Sequence, residues 1–190
     1  MKKIAALCLA LILALGMLGV ETFAYFSDTE ISSGNRLAAG TLDLKTNDAD
    51  GVSQTLFAID MSPGAIVSSS SITLRNAGTI NGAALDMGFT YAESDGSPNS
   101  VNKTADETAA VIEVIAFNYG GFSLLSSIGD ANGNGYKDVY DLKNSNLNGQ
   151  SGIAASAARS FDISVRLKSD TGYDFQADGI SITMTFTLRQ

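Results

Sequence analysis

The chain predicts an all-β fold: a jelly-roll-like two-sheet β-sandwich of about eight strands carrying one long loop insertion. Three observations lead there. Apolar residues recur at period two in short runs, and Gly, Asn, Ser and Asp punctuate those runs. The chain is 190 residues long with no linker and no internal repeat, which suits one domain.

The first element stands outside that domain. Lys2 and Lys3 precede an uncharged apolar run over residues 4–20, and the small residues Thr22 and Ala24 stand three and one places before Tyr25. This is the layout of a secretory signal peptide, so residues 1–24 are expected to be cut off between Ala24 and Tyr25. A retained membrane anchor is the rival, because the run is just long enough to cross a bilayer; the small-residue pattern favours removal. Cys8 lies early in the run and reads as signal core rather than as a lipidation site. Residues 25–35 then form an N-terminal segment and residues 36–190 the sandwich.

Within the sandwich, residues 41–45 set Leu42 and Leu44 against Asp43 and Lys45, and residues 53–60 set Leu56 and Ala58 against Phe57 and Ile59. Met61-Ser62-Pro63-Gly64 is a turn, because Pro fixes φ and Gly accepts positive φ. Residues 65–75 follow as one strand, with Ile72 and Leu74 opposite Thr73 and Arg75, closed by Asn76-Ala77-Gly78. Residues 81–92 carry Leu85, Met87, Phe89 and Tyr91 on one face. A surface loop (94–104) leads to a helical turn over 105–110, with Asp106 and Glu107 serving its N-terminus.

Residues 111–119 place Ile112, Val114 and Ala116 on one face and Ile115, Phe117 and Tyr119 on the other, until Gly120-Gly121 breaks the strand. Residues 122–127 fit either strand or turn. After a polar insertion (129–149), residues 160–168 alternate Phe161, Ile163, Val165 and Leu167 with Asp162, Ser164 and Arg166. Residues 169–179 form a turn region. Residues 180–188 alternate Ile180, Ile182, Met184, Phe186 and Leu188 with Ser and Thr.

Composition removes several functions. The chain has no His, no Trp and one cysteine, Cys8, inside the expected signal. A disulfide framework and a Cys- or His-ligated zinc or haem site are therefore excluded. So are nucleophile arrangements that need imidazole as base. Asp106 and Glu107 are adjacent carboxylates better suited to a helix start than to acid–base work, and the chain is read as no enzyme. A net charge of −8 disfavours nucleic acid and anionic lipid. No membrane partner is expected once the signal is gone.

One motif carries metal chemistry. From Asp130 to Asp141, side-chain oxygens fall at positions 1, 3, 5, 9 and 12 of a calcium loop, with Gly135 at position 6 for the sharp turn. The ligands would be Asp130, Asn132, Asn134, Asp138 and Asp141, with the backbone carbonyl of Tyr136. Asp141 replaces the usual bidentate Glu, as in dockerin-type loops. A single copy points to a structural Ca2+ stiffening the insertion; a plain Asp/Asn/Gly turn is the alternative. Asn47-Asp48-Ala49-Asp50-Gly51 lacks such a register and reads as a turn. Asn102-Lys103-Thr104 is a glycosylation sequon in a surface loop, so Asn102 is a candidate acceptor whose use depends on the organism.

Four segments carry a resemblance. Ala24-Tyr25-Phe26-Ser27-Asp28-Thr29-Glu30 sits directly on the signal peptide and is the specific one. Leu37-Ala38-Ala39-Gly40-Thr41-Leu42-Asp43-Leu44, Met61-Ser62-Pro63-Gly64, and Gln176-Ala177-Asp178-Gly179 before a Thr-alternating strand accompany it. Together they resemble the TasA/camelysin family of exported biofilm matrix fibre proteins, to which archaeal bundling-pilus subunits are similar. The resemblance implies a secreted jelly-roll subunit of a cell-surface filament or biofilm matrix. Its partners would be other copies of itself, and neighbouring fibres.

Such subunits polymerise by donor-strand complementation, the N-terminal segment of one completing a sheet of the next. Here that segment would be Tyr25, Phe26, Ser27, Asp28, Thr29, Glu30 and Ile31, with no Gly or Pro before Gly34 offers a hinge. Main-chain pairing with a sheet edge would supply affinity, and Tyr25, Phe26 and Ile31 would fill pockets. The alternative is that residues 25–33 are the first strand of their own sheet. Two other functions compete: a monomeric calcium-binding adhesin or glycan-binding sandwich, against which the lack of Trp argues, and the metalloprotease activity attached to some camelysins. Zinc proteases of the usual kind need two His on one helix.

Overall fold

The computed structural model describes residues 40–51, 53–96, 101–175 and 177–190. The expected signal peptide, its cut at Ala24/Tyr25 and the donor segment 25–31 lie outside the described residues. What is described is an all-β sandwich of two antiparallel sheets. The first sheet holds β1 (Leu44–Thr46), β2 (Ala49–Asp50), β4 (Ile66–Ser68), β5 (Ile72–Asn76), β7 (Ile112–Tyr119), β8 (Phe122–Ser123) and β10 (Ala158–Leu167). Its order is β2-β1-β5-β10-β7-β8, with β4 also on β10. The second sheet holds β3 (Ser53–Ala58), β6 (Ala84–Glu93), β9 (Leu147–Ser151) and β11 (Ile180–Arg189), in the order β3-β11-β6-β9. Two short helices complete the set, α1 (Ala105–Ala109) and α2 (Val139–Asn144).

Alternation explains the core. Phe161, Ile163, Val165 and Leu167 of β10 face Ile180, Ile182, Met184 and Phe186 of β11, and all eight are buried. At the centre Phe161 meets Phe186 edge-on at 5.0 Å between centroids and Phe117 at 5.6 Å, and Phe89 meets Phe117 at 5.6 Å. Edge-to-face contacts of this kind add to the burial of large apolar surface, which dominates the stability of such a fold.

Four expectations need correction. The long strand over 65–75 is two strands: Ile163 of β10 exchanges its backbone bonds with Ser69, whose N–H donates to the Ile163 carbonyl and whose Oγ accepts the Ile163 N–H. A hydroxyl thus replaces a ladder carbonyl, so β4 and β5 pair successive stretches of β10 with a break between them. The two-face reading of 111–119 fails at a β-bulge. Val114 pairs with Val165 and Ala116 with Ser164, leaving Ile115 as the extra residue. The phase flips there, so Ile112, Val114, Phe117 and Tyr119 all face the core.

The polar insertion is not structureless. It holds α2, whose Val139 and Leu142 are buried, and β9, whose Leu147 pairs with Met87. Among the described residues eleven strands, four of them (β1, β2, β4 and β8, all in the first sheet) of only two or three residues, replace the expected eight. Of the turn expected over Asn47-Asp48-Ala49-Asp50-Gly51, Asn47 and Asp48 do turn, at φ 52° and 60°, and close a hairpin, but Ala49 and Asp50 form its second strand, β2.

Candidate functional site

The sandwich treats its edges unequally. Unpaired strand edges invite further strands and are usually blunted. The Asp-rich loop covers β7: the Val114 N–H donates to the Lys137 carbonyl at 2.7 Å, and Glu113 bridges to Asp138. The edge of β9 is polar, with Asn148, Gly149 at φ 75° and Gln150. β2 is two residues long and held by ion pairs, Lys45–Asp50 at 2.5 Å and Arg75–Asp48 at 3.2 Å.

The β3/β4 flank differs. Among the described residues β3 pairs only with β11, and β4 only with β10. These consecutive strands carry exposed apolar side chains, Phe57 (56% exposed) on β3 and Ile66 (57%) on β4, with Ile59 exposed between them. An open edge bearing apolar side chains is what an added strand requires. Sequence reasoning found Phe57 and Ile59 on the face opposite Leu56 but could not tell that their strand is an edge, since pairing order is a non-local property.

The loop over residues 130–141 folds on itself. Asp130 accepts the N–H of Asn134 and of Gly135, both at 3.1 Å. The Asn132 and Asn134 Nδ2 groups both donate to Asp138 Oδ2, at 3.0 and 2.8 Å. Asp138 and Asp141 cap α2 reciprocally: the Asp141 N–H donates to Asp138 Oδ1 at 3.0 Å and the Asp138 N–H to Asp141 Oδ2 at 3.2 Å. Asp141 Oδ1 also accepts the Ala131 N–H at 2.7 Å. Tyr136 donates its N–H to Asn134 Oδ1, and its ring lies under the Lys168 ammonium.

The five expected side-chain ligands are thus tied into one hydrogen-bonded cluster. Asp138 and Asp141 are fully buried, whereas Asp130, Asn132 and Asn134 are exposed. Burial holds the Asp138 carboxyl above the ordinary carboxylate range, outweighing the hydrogen bonds that lower it. Two amide N–H groups therefore converge on a buried carboxylate oxygen, a donor arrangement that a cation would replace. Among the described residues no group of three or more His, Cys, Asp or Glu stands close enough to hold a metal. The carboxylates of Asp130, Asp138 and Asp141 are instead engaged with backbone N–H groups, and a shared ion would require the Asn amides to turn their oxygens inward.

Asn102 is exposed. The sequon's Thr104 is the N-cap of α1, its hydroxyl accepting the Glu107 N–H at 3.3 Å while the Glu107 carboxylate accepts the Thr104 N–H at 2.9 Å. Glu107 thus belongs to the helix start, as expected. Asp106 does something the sequence did not signal. It accepts the Tyr91 hydroxyl at 2.6 Å and pairs with Lys143 of α2 at 3.7 Å, tying both helices to β6.

Two antiparallel sheets, whose β3 and β4 pair with no further strand among the described residues, define an all-β sandwich domain. The family model described as camelysin metallo-endopeptidase matches residues 1–118, and the chain belongs to this family, the TasA/camelysin family. Its members are generally extracellular or cell-surface proteins; the family name records a peptidase, while TasA-like members are structural. None of the curated proteins matches the chain.

Proposed function

We propose that this protein is a structural subunit of an extracellular fibre or pilus, polymerising head-to-tail by donation of its N-terminal strand. The observation that carries this reading is the open β3/β4 flank with Phe57 and Ile66 exposed on it. Membership of a family consistent with biofilm matrix fibres supports it. In this reading residues 25–31, after removal of the signal at Ala24/Tyr25, add to that flank on the next subunit. A head-to-tail contact that does not close makes a filament. The role is mechanical and uses no catalytic residue. Protease activity of the purified protein, abolished by a zinc chelator, would overturn that part.

The test is a truncation. A variant lacking residues 25–33 should fold and remain monomeric while the longer form makes filaments by negative-stain electron microscopy. Filaments from the truncated form would sink strand donation; monodisperse particles from both would favour the monomeric adhesin. The loop at 130–141 is proposed to take a structural Ca2+ through Asp130, Asn132, Asn134, Asp138 and Asp141 with the Tyr136 carbonyl. The convergence of these side chains around a buried carboxylate supports that reading. Imaging with and without calcium would tell whether the ion acts in assembly.

A further inference from the structure

The first sheet carries an apolar knob at one end and a groove of mixed apolar and polar lining at the other. The knob is Phe122, which is 72% exposed at the tip of the β7–β8 hairpin. Gly120 and Gly121, at φ 58° and 85°, give that hairpin a tight two-residue turn that thrusts the ring outward. The groove encloses about 530 Å³ between the β3–β4 turn and the segment after β10, and is lined by Met61, Pro63, Leu167, Thr171, Tyr173 and Phe175. Tyr173 is 94% exposed at its mouth. Thr171 keeps its Oγ1 buried without a hydrogen-bond partner among the described residues.

Knob and groove cannot meet within one molecule. Tyr119, beside the hairpin tip, pairs with Phe161, whereas the groove begins at Leu167, which pairs with Ile112 at the far end of the same two strands. Six residues of strand separate them, roughly 20 Å at 3.3 Å per residue. Their charges are complementary. Arg159 stands beside the hairpin, its guanidinium 5.6 Å from the Tyr119 ring and its Nε donating to the Gly152 carbonyl, with no carboxylate partner among the described residues. Asp170 lines the groove and Asp174 flanks it on the same segment, and neither has an ion pair among the described residues. The Lys103 ammonium lies over Phe175 at the groove, 5.4 Å from the ring centroid, but Asp170 and Asp174 remain without an ion pair among the described residues, as Arg159 does at the other end.

We infer that the groove receives Phe122 of a second copy of this chain, with Arg159 of that copy set against Asp170 and Asp174. The contact is heterologous: it uses two different surfaces, so each copy keeps one free knob and one free groove, and in the fibre reading the contact repeats along the polymer. A buried aromatic anchor with a charged rim is the usual composition of an interface hot spot. The inference rests on the fibre reading for its direction along a polymer, but the contact involves neither the N-terminal segment nor the β3/β4 edges. It would add a second attachment between successive subunits and fix their mutual orientation.

The test places a photo-crosslinking benzoylphenylalanine at position 122 of the full chain produced in an exporting host. Filaments are followed by electron microscopy and products by mass spectrometry. Crosslinks should map to residues 169–175 of another copy. Phe122→Ser should raise the concentration needed for assembly tenfold or more, an effect on the order expected for loss of a hot-spot aromatic. Arg159→Glu and Asp170→Arg should each weaken the crosslink, and the double variant should restore it.

Filaments that form with unchanged yield from Phe122→Ser, or crosslinks mapping elsewhere, would overturn the contact and leave the fibre reading standing. Crosslinks to 169–175 in a protein that never forms filaments would keep the contact and remove the fibre. A folded Phe122→Ser, checked by its melting transition, separates lost contact from lost fold.

Discussion

At the scale of single residues, the aromatic centre and a few close backbone approaches bear most weight. Phe161 is fully buried and touches Phe89, Phe117 and Phe186. Phe161→Ala should cost about 3–5 kcal/mol, read as a fall in the denaturant midpoint with little change of slope. At Gly152 an added Cβ would stand 1.9 Å from the Gly82 carbonyl oxygen, a backbone atom that no rotamer can move. Gly152→Ala should therefore destabilise by forcing the chain after β9 away from Gly82. Asp86 offers a pH test. Burial raises its carboxyl, but the Gly149 N–H and the Arg189 guanidinium outweigh that and hold it below the ordinary value of 3.8. A depressed carboxyl contributes stability above its unfolded value and loses it as pH falls through the folded one. Asp86→Asn should lower Tm by about 2–4 °C at neutral pH, and the gap to the parent should shrink as the pH drops below 3.8.

At the scale of elements, the bulge at Ile115 and the caps are the informative devices. Deleting Ile115 would restore simple alternation and turn Ile112 and Val114 away from the core, so the variant should fail to fold as monitored by near-ultraviolet circular dichroism. Thr104→Ala should cost about 1 kcal/mol through loss of the α1 cap. In the loop, Asp138→Asn keeps an oxygen to cap α2 but removes a buried charge. Its amide N–H would face the Asn132 and Asn134 donors in place of Oδ2, so it should lower the calcium-free melting point and also abolish any rise in Tm that calcium gives the parent.

These same elements mark what was legible. Strands with unbroken alternation, such as β6, β10 and β11, were readable because period two needs only local sequence. Ile115 was not, since a bulge is defined by the partner strand's register. The split between β4 and β5 hid in a run of four serines, Ser68 to Ser71, where a side chain imitates the backbone. Within the candidate site, the spacing from Asp130 to Asp141 marked a loop whose side chains hydrogen-bond with one another, but that Asp138 and Asp141 would cap α2 followed from a helix too short and too weakly apolar to announce itself. The open β3/β4 flank was invisible because strand order is set by the whole chain.

At the scale of the whole molecule, an acidic sandwich whose β3/β4 flank takes no further strand among the described residues, with an Asp-rich loop over another edge, fits the end-to-end association proposed above. The truncation lacking residues 25–33 belongs to this scale: its folding should be unaffected by light-scattering and melting criteria while its filaments disappear. The strand order has a further consequence. β11, latest of the strands along the chain, lies between β3 and β6 and supplies both of their ladders. A polypeptide delivered N-terminus first, from a ribosome or through a translocation pore, therefore cannot close its second sheet until residues 180–189 have arrived. Until then β3 and the β6–β9 pair lack the strand that joins them, so the second sheet is the last part of the fold to be completed.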